Sequence, residues 1–189
     1  SSLTRTHQRL PLEIHEQVFV FVLKIAEDKK LLRGKTTAVD STTLEANAAM
    51  KTIVRKDSGE DWKEYLTRLA QAAGIENPTD EDLRRFDKKR QGKKVSNDDW
   101  ESPTDPDSRI AKMKDGTTHL AYKAEHVVDL ESDLVLAATV TPANHGDAET
   151  ACDSVAQAQL NLQAAGSTTK IKDVTADKGY HKASTLELA

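Results

Sequence analysis

Residues 119–128 read His-Leu-Ala-Tyr-Lys-Ala-Glu-His-Val-Val, and residues 134–141 read Leu-Val-Leu-Ala-Ala-Thr-Val-Thr. In the first run, apolar side chains such as Leu120 and Tyr122 alternate with mostly polar ones, which is the two-residue period of a β-strand. The link between the runs, residues 129–133, is short and mostly polar. Together the two runs predict an antiparallel β-hairpin.

A helix and a further strand are predicted after this hairpin. Apolar residues recur at alternating steps of four and three residues at Ala151, Val155, Ala158, Leu162 and Ala165. This spacing predicts a helix that Asp147 caps and Gly166 closes. Residues 171–176 form the last strand candidate, with Asp177 at its C-terminal end and a terminal helix following. A hairpin followed by this helix–strand crossover predicts an α/β fold with a mixed sheet and flanking helices.

The first strand candidate lies upstream of the hairpin. Residues 35–41 read Lys-Thr-Thr-Ala-Val-Asp-Ser, a β-branched run with Asp40 at its C-terminal end. Residues 50–115 are predicted to be an insertion, part helical and part irregular, rather than core. The chain therefore divides into an N-terminal helical segment, residues 1–34, and an α/β domain over residues 35–189 that contains this insertion.

Helices are predicted in both the N-terminal segment and the insertion. After Pro11, apolar residues follow helical spacing at Ile14, Val18, Phe21, Val22 and Ile25. The run from Val18 to Leu23 would also suit a strand, but the spacing favours a helix. In the insertion, Asp61 and the segment from Pro78 to Asp82 are predicted to begin two further helices.

The composition excludes several classes of protein. The 189 residues suffice for one domain with an insertion, and 27 basic against 31 acidic residues give a net charge of −4. Any polyanion site must therefore be local. A single cysteine, Cys152, allows no intrachain disulfide, and no apolar run reaches the ~18 residues that a membrane span needs. We expect a cytoplasmic protein without membrane contact, and we interpret the chain, which lacks an initial Met, as a fragment.

Charge is strongly segregated within the insertion. Residues 84–94 contain seven basic side chains and one acid, whereas residues 96–107 contain five acids and no base. Such blocks are usually solvated and mobile. A local DNA contact is the alternative interpretation of the basic block.

Two aspartates, Asp40 and Asp177, occupy the same kind of position, each at the end of a predicted strand. Side chains converge beyond the carboxyl ends of strands in an open α/β sheet. Converging carboxylates repel each other unless a cation lies between them, and Mg²⁺ binds one or two carboxylates together with waters and phosphate oxygens. The structural alternatives are that Asp40 accepts the amide of Ser41 or Thr42 and that Asp177 forms a turn beside Gly179. As a pair, the two acids favour a metal site.

Three motifs resemble the DDE-type transposases of bacterial insertion sequences. They are Thr-Ala-Val-Asp-Ser-Thr-Thr-Leu-Glu-Ala-Asn-Ala at 37–48, Lys-Asp-Gly-Thr-Thr-His-Leu-Ala-Tyr-Lys-Ala-Glu-His at 114–126, and Ala-Asp-Lys-Gly-Tyr-His at 176–181. The resemblance implies an RNase H-like catalytic domain in which three acids hold two metal ions, Mg²⁺ or Mn²⁺. It also implies double-stranded DNA as partner, both the element's terminal inverted repeats and the target, with a homodimer on the DNA as one arrangement. The location implied is the bacterial cytoplasm, at the nucleoid.

The resemblance also assigns residues to roles. Asp40 matches the first acid on the first strand, and Asp177 matches the second acid on the fourth strand. The third acid, a Glu on a later helix, is expected beyond Ala189, and Glu187 is a less favoured substitute. Because a two-metal site needs bridging and flanking carboxylates, we expect this chain alone to be inactive. The basic side chains assigned to DNA are Lys88, Lys89, Arg90, Lys93, Lys94 and Lys178.

Two other functions are compatible with parts of this pattern. A DNA-binding or dimerisation remnant of a transposase would keep the fold and the basic segment without catalysis. A phosphatase with Asp40 as its nucleophile would need a parallel βαβ unit after the first strand, and the predicted hairpin argues against it.

Overall fold

The structure is a computed structural model that describes Arg5 and residues 9–90, 96–113 and 115–180. The chain divides into two compact units. The first unit comprises residues 1–42, 124–140 and 145–189, and the second comprises residues 43–123 and 141–144. No helix in the described part of the chain is long and apolar enough to cross a bilayer. The predicted terminal helix and Glu187 lie outside the described residues.

The described residues form a mixed α/β structure, which confirms the predicted fold class. The regular elements, in chain order, are α1 (Leu12–Asp28), β1 (Thr36–Glu45), β2 (Val54–Arg55), α2 (Trp62–Ala72), α3 (Asp80–Lys89), β3 (Trp100–Glu101), β4 (Arg109–Lys112), β5 (Thr118–Asp129), β6 (Val135–Pro142), α4 (Asp147–Ala164) and β7 (Asp173–Ala176). Short 3₁₀ turns span Met50–Thr52, Asn97–Asp99 and Lys178–Tyr180.

The sheet of the first unit has the strand order β6–β5–β1–β7. Strands β5 and β6 form the predicted hairpin, closed by the Asp129 amide, which donates to the Leu134 carbonyl at 2.9 Å. The Leu130 amide donates to the Thr36 carbonyl at 3.0 Å, so the end of β5 meets the start of β1 and the two strands are antiparallel. After α4 the chain returns to the sheet as β7, which pairs with β1 in parallel. This mixture of parallel and antiparallel neighbours is the mixed sheet that the sequence predicts.

The apolar face of α4, rich in alanine, packs into the core of the first unit. Ala158 and Leu162 are fully buried, and they pack in one cluster with Val39 of β1, Val127 of β5 and Leu136 of β6. An Ala-rich face lets the helix axis approach the sheet closely, because short side chains leave little volume between them. The apolar face of α1 differs, since Val18 and Phe21 are exposed.

The second unit contains two capped helices. The Asp61 carboxylate accepts the Glu64 amide before α2, and the Thr79 hydroxyl accepts the Asp82 amide before α3. Both start signals were predicted from the sequence. The short strands β2, β3 and β4 were not predicted, because two to four residues are too few to show a two-residue period.

Two local predictions are wrong. Asp40 does not end its strand, because β1 continues to Glu45 through the β-branched pair Thr42 and Thr43. Asp147 is the first residue of α4 rather than its cap, and Gly146 occupies the cap position.

Asp129, at the end of β5, joins the loop before β1 to the hairpin turn. Its fully buried carboxylate accepts the amides of Arg33 and Gly34 at 2.8 Å each, the amide of Glu131 at 3.1 Å and the hydroxyl of Ser132 at 2.8 Å. Burial alone would raise the pKa of the Asp129 carboxyl, but these donors outweigh it and hold the pKa below its usual value. The ionised carboxylate is therefore part of the folded structure.

We predict that Asp129→Asn lowers the free energy of unfolding by about 2 kcal/mol at pH 7. The Asn side-chain NH₂ group would face backbone amides and a hydroxyl that need an acceptor. A depressed folded-state pKa stabilises the protein above the unfolded pKa, and this stabilisation is lost as pH falls through the folded value. In urea denaturation, the difference in unfolding free energy between wild type and variant should therefore be largest near pH 7 and shrink as pH falls through the lowered folded-state pKa.

Asp133→Asn is the matched control for this prediction. Asp133 lies in the same turn, is exposed, and has a left-handed φ of 56° that Asn tolerates equally well. The control should change the free energy of unfolding by less than about 0.5 kcal/mol over the same pH range. An equal destabilisation of both variants would contradict the role given to Asp129.

Candidate functional site

Asp40 and Asp177 follow the last pair of the parallel ladder between β1 and β7. The register pairs Thr36 with Asp173 and ends with Val39 opposite Ala176. Directly beyond this pair come Asp40, the next residue of β1, and Asp177, the residue that follows β7, and both are exposed. Neighbouring strands lie ~4.8 Å apart and side chains alternate between faces, so residues in register point to the same side of the sheet. The register thus places Asp40 and Asp177 at successive positions beyond the same ladder pair.

Both acids also make the local contacts that their structural alternatives require. The Ser41 amide donates to Asp40 Oδ1 at 2.8 Å. The Tyr180 amide donates to the Asp177 carbonyl at 3.2 Å and closes the turn Lys178–Tyr180. The first bond orients the Asp40 carboxylate, and it occupies one of about four acceptor positions on that group. The second uses only the main chain of Asp177. Neither contact excludes ligand binding by the side chains.

A buried carboxyl group, that of Glu125 on β5, lies in the same unit. The residue is 1% exposed. The hydroxyls of Tyr180 and Thr150 each donate to Oε1 at 3.1 Å, and the Ser154 hydroxyl donates to Oε2. A buried carboxyl is costly unless its oxygens accept hydrogen bonds, and three hydroxyl donors supply them here.

Ser41 and Tyr180 extend this network to the segments that contain the two acids. Ser41, which directly follows Asp40, donates its hydroxyl proton to Asp147 Oδ1 at 2.9 Å. Burial raises the pKa of the Tyr180 phenol well above its usual range; the nearby Ser41 hydroxyl acts in the opposite direction, and the charges of Glu125 and Asp147 raise the pKa further. The phenol is therefore neutral at physiological pH.

Sequence reasoning missed Glu125 because the apolar alternation in β5 favours the even-numbered positions as the buried face. In the structure the odd-numbered Glu125, Val127 and Asp129 are buried, whereas His126 is exposed. A strand with a neighbour on each side and a helix packed on the sheet buries more than one face. The available signal was Glu125 within the predicted strand and Asp129 directly after it, four residues apart and therefore on the same face.

The structure places the basic residues assigned to DNA in different environments. Lys88 and Lys89 are exposed at the end of α3, and Lys178 is exposed directly after Asp177. Arg90 is half-buried, and its Nε donates to Asp87 Oδ1 at 2.8 Å while its guanidinium lies 5.9 Å from the centre of the Tyr65 ring. Arg90 thus has a packing role within the second unit. The remaining two predicted contacts, Lys93 and Lys94, lie outside the described residues.

Two exposed carboxylates suit a hard divalent cation. Among the described residues, no three His, Cys, Asp or Glu side chains come together as a metal site. Mg²⁺ does not require such a site, since it binds through one or two carboxylates and completes its shell with waters and phosphate oxygens. The donor chemistry of Asp40 and Asp177 therefore fits Mg²⁺ or Mn²⁺.

Comparison with known proteins identifies the family. Residues 32–188 match the family model described as transposase DDE domain, so the chain belongs to this family. The match confirms the resemblance found in the sequence and agrees with an RNase H-like arrangement of the sheet. Searches of curated proteins and of solved structures returned no significant match. Transposases act on DNA, and DDE transposases generally depend on divalent metal ions.

Proposed function

We propose that this chain provides the first two acids of a transposase active site, Asp40 and Asp177, for metal-dependent cleavage and transfer of DNA strands at insertion-sequence ends. The parallel register that ends at Val39 and Ala176 supports this proposal, because the two exposed acids follow the same ladder pair on neighbouring strands. Membership in the transposase DDE family supports the same assignment.

The chain's own residues would hold and orient the reacting groups. Asp40 and Asp177 would bind the cation through carboxylate oxygens, with the Ser41 amide fixing one oxygen of Asp40. Lys178, exposed beside Asp177, would contact a DNA phosphate as a point charge. When bound, divalent ions activate the attacking oxygen and stabilise the leaving oxygen of a phosphodiester.

Two acids are fewer than a two-ion site needs. One divalent ion can use one or two carboxylates, but a pair of ions at ~3.5–4 Å needs bridging and flanking ligands. The family's third acid, a Glu on a later helix, is therefore part of this proposal as a downstream residue.

We predict that this chain alone shows negligible Mg²⁺- or Mn²⁺-dependent nicking of DNA that carries the element's ends. The chain extended through the downstream helix should nick the same DNA and fall to background with Asp40→Ala or Asp177→Ala, because either change removes a cation ligand. Gel analysis of a supercoiled plasmid measures the activity.

Asp173→Asn is the matched control, since Asp173 is an exposed acid at the start of β7, the strand that Asp177 follows. This variant of the extended chain should cut normally. Normal cutting with Asp177→Ala would contradict the metal-site assignment. An extended chain that binds the DNA and never cuts it would instead favour the inactive remnant.

A DNA contact at the end of α3 is the second part of the proposal. Lys88 and Lys89 lie exposed on the last turn of that helix, whereas Arg90 is paired with Asp87. Because the chain has a net charge of −4, attraction to DNA must come from such local groups. Lys178 and the residues Lys93 and Lys94 complete the proposed set.

We expect the Lys88→Ala/Lys89→Ala double variant to bind duplex DNA more weakly, with a salt slope smaller by ~0.9 for each phosphate that the variant no longer neutralises. The pair Lys51→Ala/Lys56→Ala removes the same charge from exposed positions in the same unit and should leave the slope unchanged. Fluorescence anisotropy at several salt concentrations gives both slopes. An unchanged slope for the first variant would show that α3 does not touch DNA.

A further inference from the structure

Tyr180 connects segments that are far apart in the sequence. Its main chain closes the turn after Asp177, because the Tyr180 amide donates to the Asp177 carbonyl at 3.2 Å. Its side chain is buried, 5% exposed, and packs in the same core cluster as Val39 of β1. The phenol thus anchors a short turn, one of whose residues is a proposed metal ligand, to the interior of the unit.

The Tyr180 side chain is held from two strands. Its hydroxyl donates to Glu125 Oε1 on β5 at 3.1 Å, and its ring packs in the core cluster that contains Val39 of β1, the residue before Asp40. One side chain therefore connects the turn that follows Asp177 to the strand that contains Asp40.

Glu125 holds the Tyr180 hydroxyl in a fixed position. Its carboxyl is almost completely buried and accepts hydroxyls from Thr150 and Ser154 of α4 besides that of Tyr180. Ser154 is in turn paired with the Thr139 hydroxyl of β6 at 2.8 Å. A fully satisfied buried polar network is rigid, because each group gives up a hydrogen bond in the low-dielectric interior if it moves.

We propose that Tyr180, whose hydroxyl is hydrogen-bonded to Glu125, is a positioning residue that sets the spacing of the Asp40 and Asp177 carboxylates for cation binding. This inference rests on the proposed function of the two acids. It deepens that function by naming the group that holds the turn after β7 against β1 beyond the end of their ladder. Groups that orient metal ligands commonly change metal affinity by 10–100-fold when they are altered.

Tyr180→Phe isolates the geometric effect. The substitution removes one oxygen atom and keeps the ring in the core. It also leaves the charge unchanged at pH 7, because the buried phenol is neutral there. A weaker affinity for a cation would then report the placement of the acids rather than a change in the electrostatic field.

The test is a titration of this chain with Mn²⁺ alone, in which electron paramagnetic resonance measures free Mn²⁺ and circular dichroism measures thermal unfolding without metal. We expect Tyr180→Phe to weaken Mn²⁺ binding by about tenfold or more. Asn161→Ala is the structural control, because it removes a different buried hydrogen bond, to the Leu136 carbonyl at 2.8 Å, in the same unit. It should lower the unfolding temperature comparably and bind Mn²⁺ like the wild type.

The acid variants separate this inference from the proposed function. Asp40→Asn and Asp177→Asn should each abolish Mn²⁺ binding. If they do and Tyr180→Phe binds normally, the positioning role is overturned and the metal site stands. If both acid variants bind like the wild type, the metal site itself fails and the inference fails with it. Should Tyr180→Phe not fold, Glu125→Gln alters the other partner of the Tyr180 hydroxyl bond, and normal Mn²⁺ binding by that variant overturns the inference.

Discussion

The parallel ladder between β1 and β7 is the constraint on which the proposed site depends. It consists of only four residue pairs, from Thr36 and Asp173 to Val39 and Ala176. A shift of one residue in this register would turn one carboxylate to the opposite face of the sheet, because side chains alternate along a strand. Register is well specified where a face is buried, and Thr37 and Val39 are buried in β1. The buried face of β1 thereby fixes which residue of β1 follows the last pair of the ladder, and this residue is Asp40.

Behind this exposed pair lies a buried polar network rather than a purely apolar core. Asp129 and Glu125, both on β5, are each surrounded by hydrogen-bond donors from other segments of the first unit. A buried carboxyl tolerates few arrangements, whereas apolar contacts can shift with little change in energy. The first unit thus combines an Ala-rich helix face with two buried, hydrogen-bonded carboxyl groups. Asp129 lies beside the start of β1, and Glu125 lies beside the centre of that strand.

Much of the fold could be predicted from the sequence, because its signals are local. Alternation gave the hairpin, steps of three and four gave α4, and capping residues gave α2 and α3. The length of β1 was missed because Asp40 resembles a strand end, although Thr42 and Thr43 continue the strand. Of the candidate site, the two acids were found from their positions after strand-like runs. Glu125 and Tyr180 were missed, because only tertiary structure brings their hydrogen-bond partners together.

A crystal structure of this chain soaked with Mn²⁺ tests the central claim most directly, since anomalous scattering locates the ion independently of any activity. The account predicts one ion bound by oxygens of both Asp40 and Asp177, with the Tyr180 hydroxyl within hydrogen-bonding distance of Glu125. Carboxylates on opposite faces of the sheet, or more than ~10 Å apart, would contradict it, because no single ion could reach both.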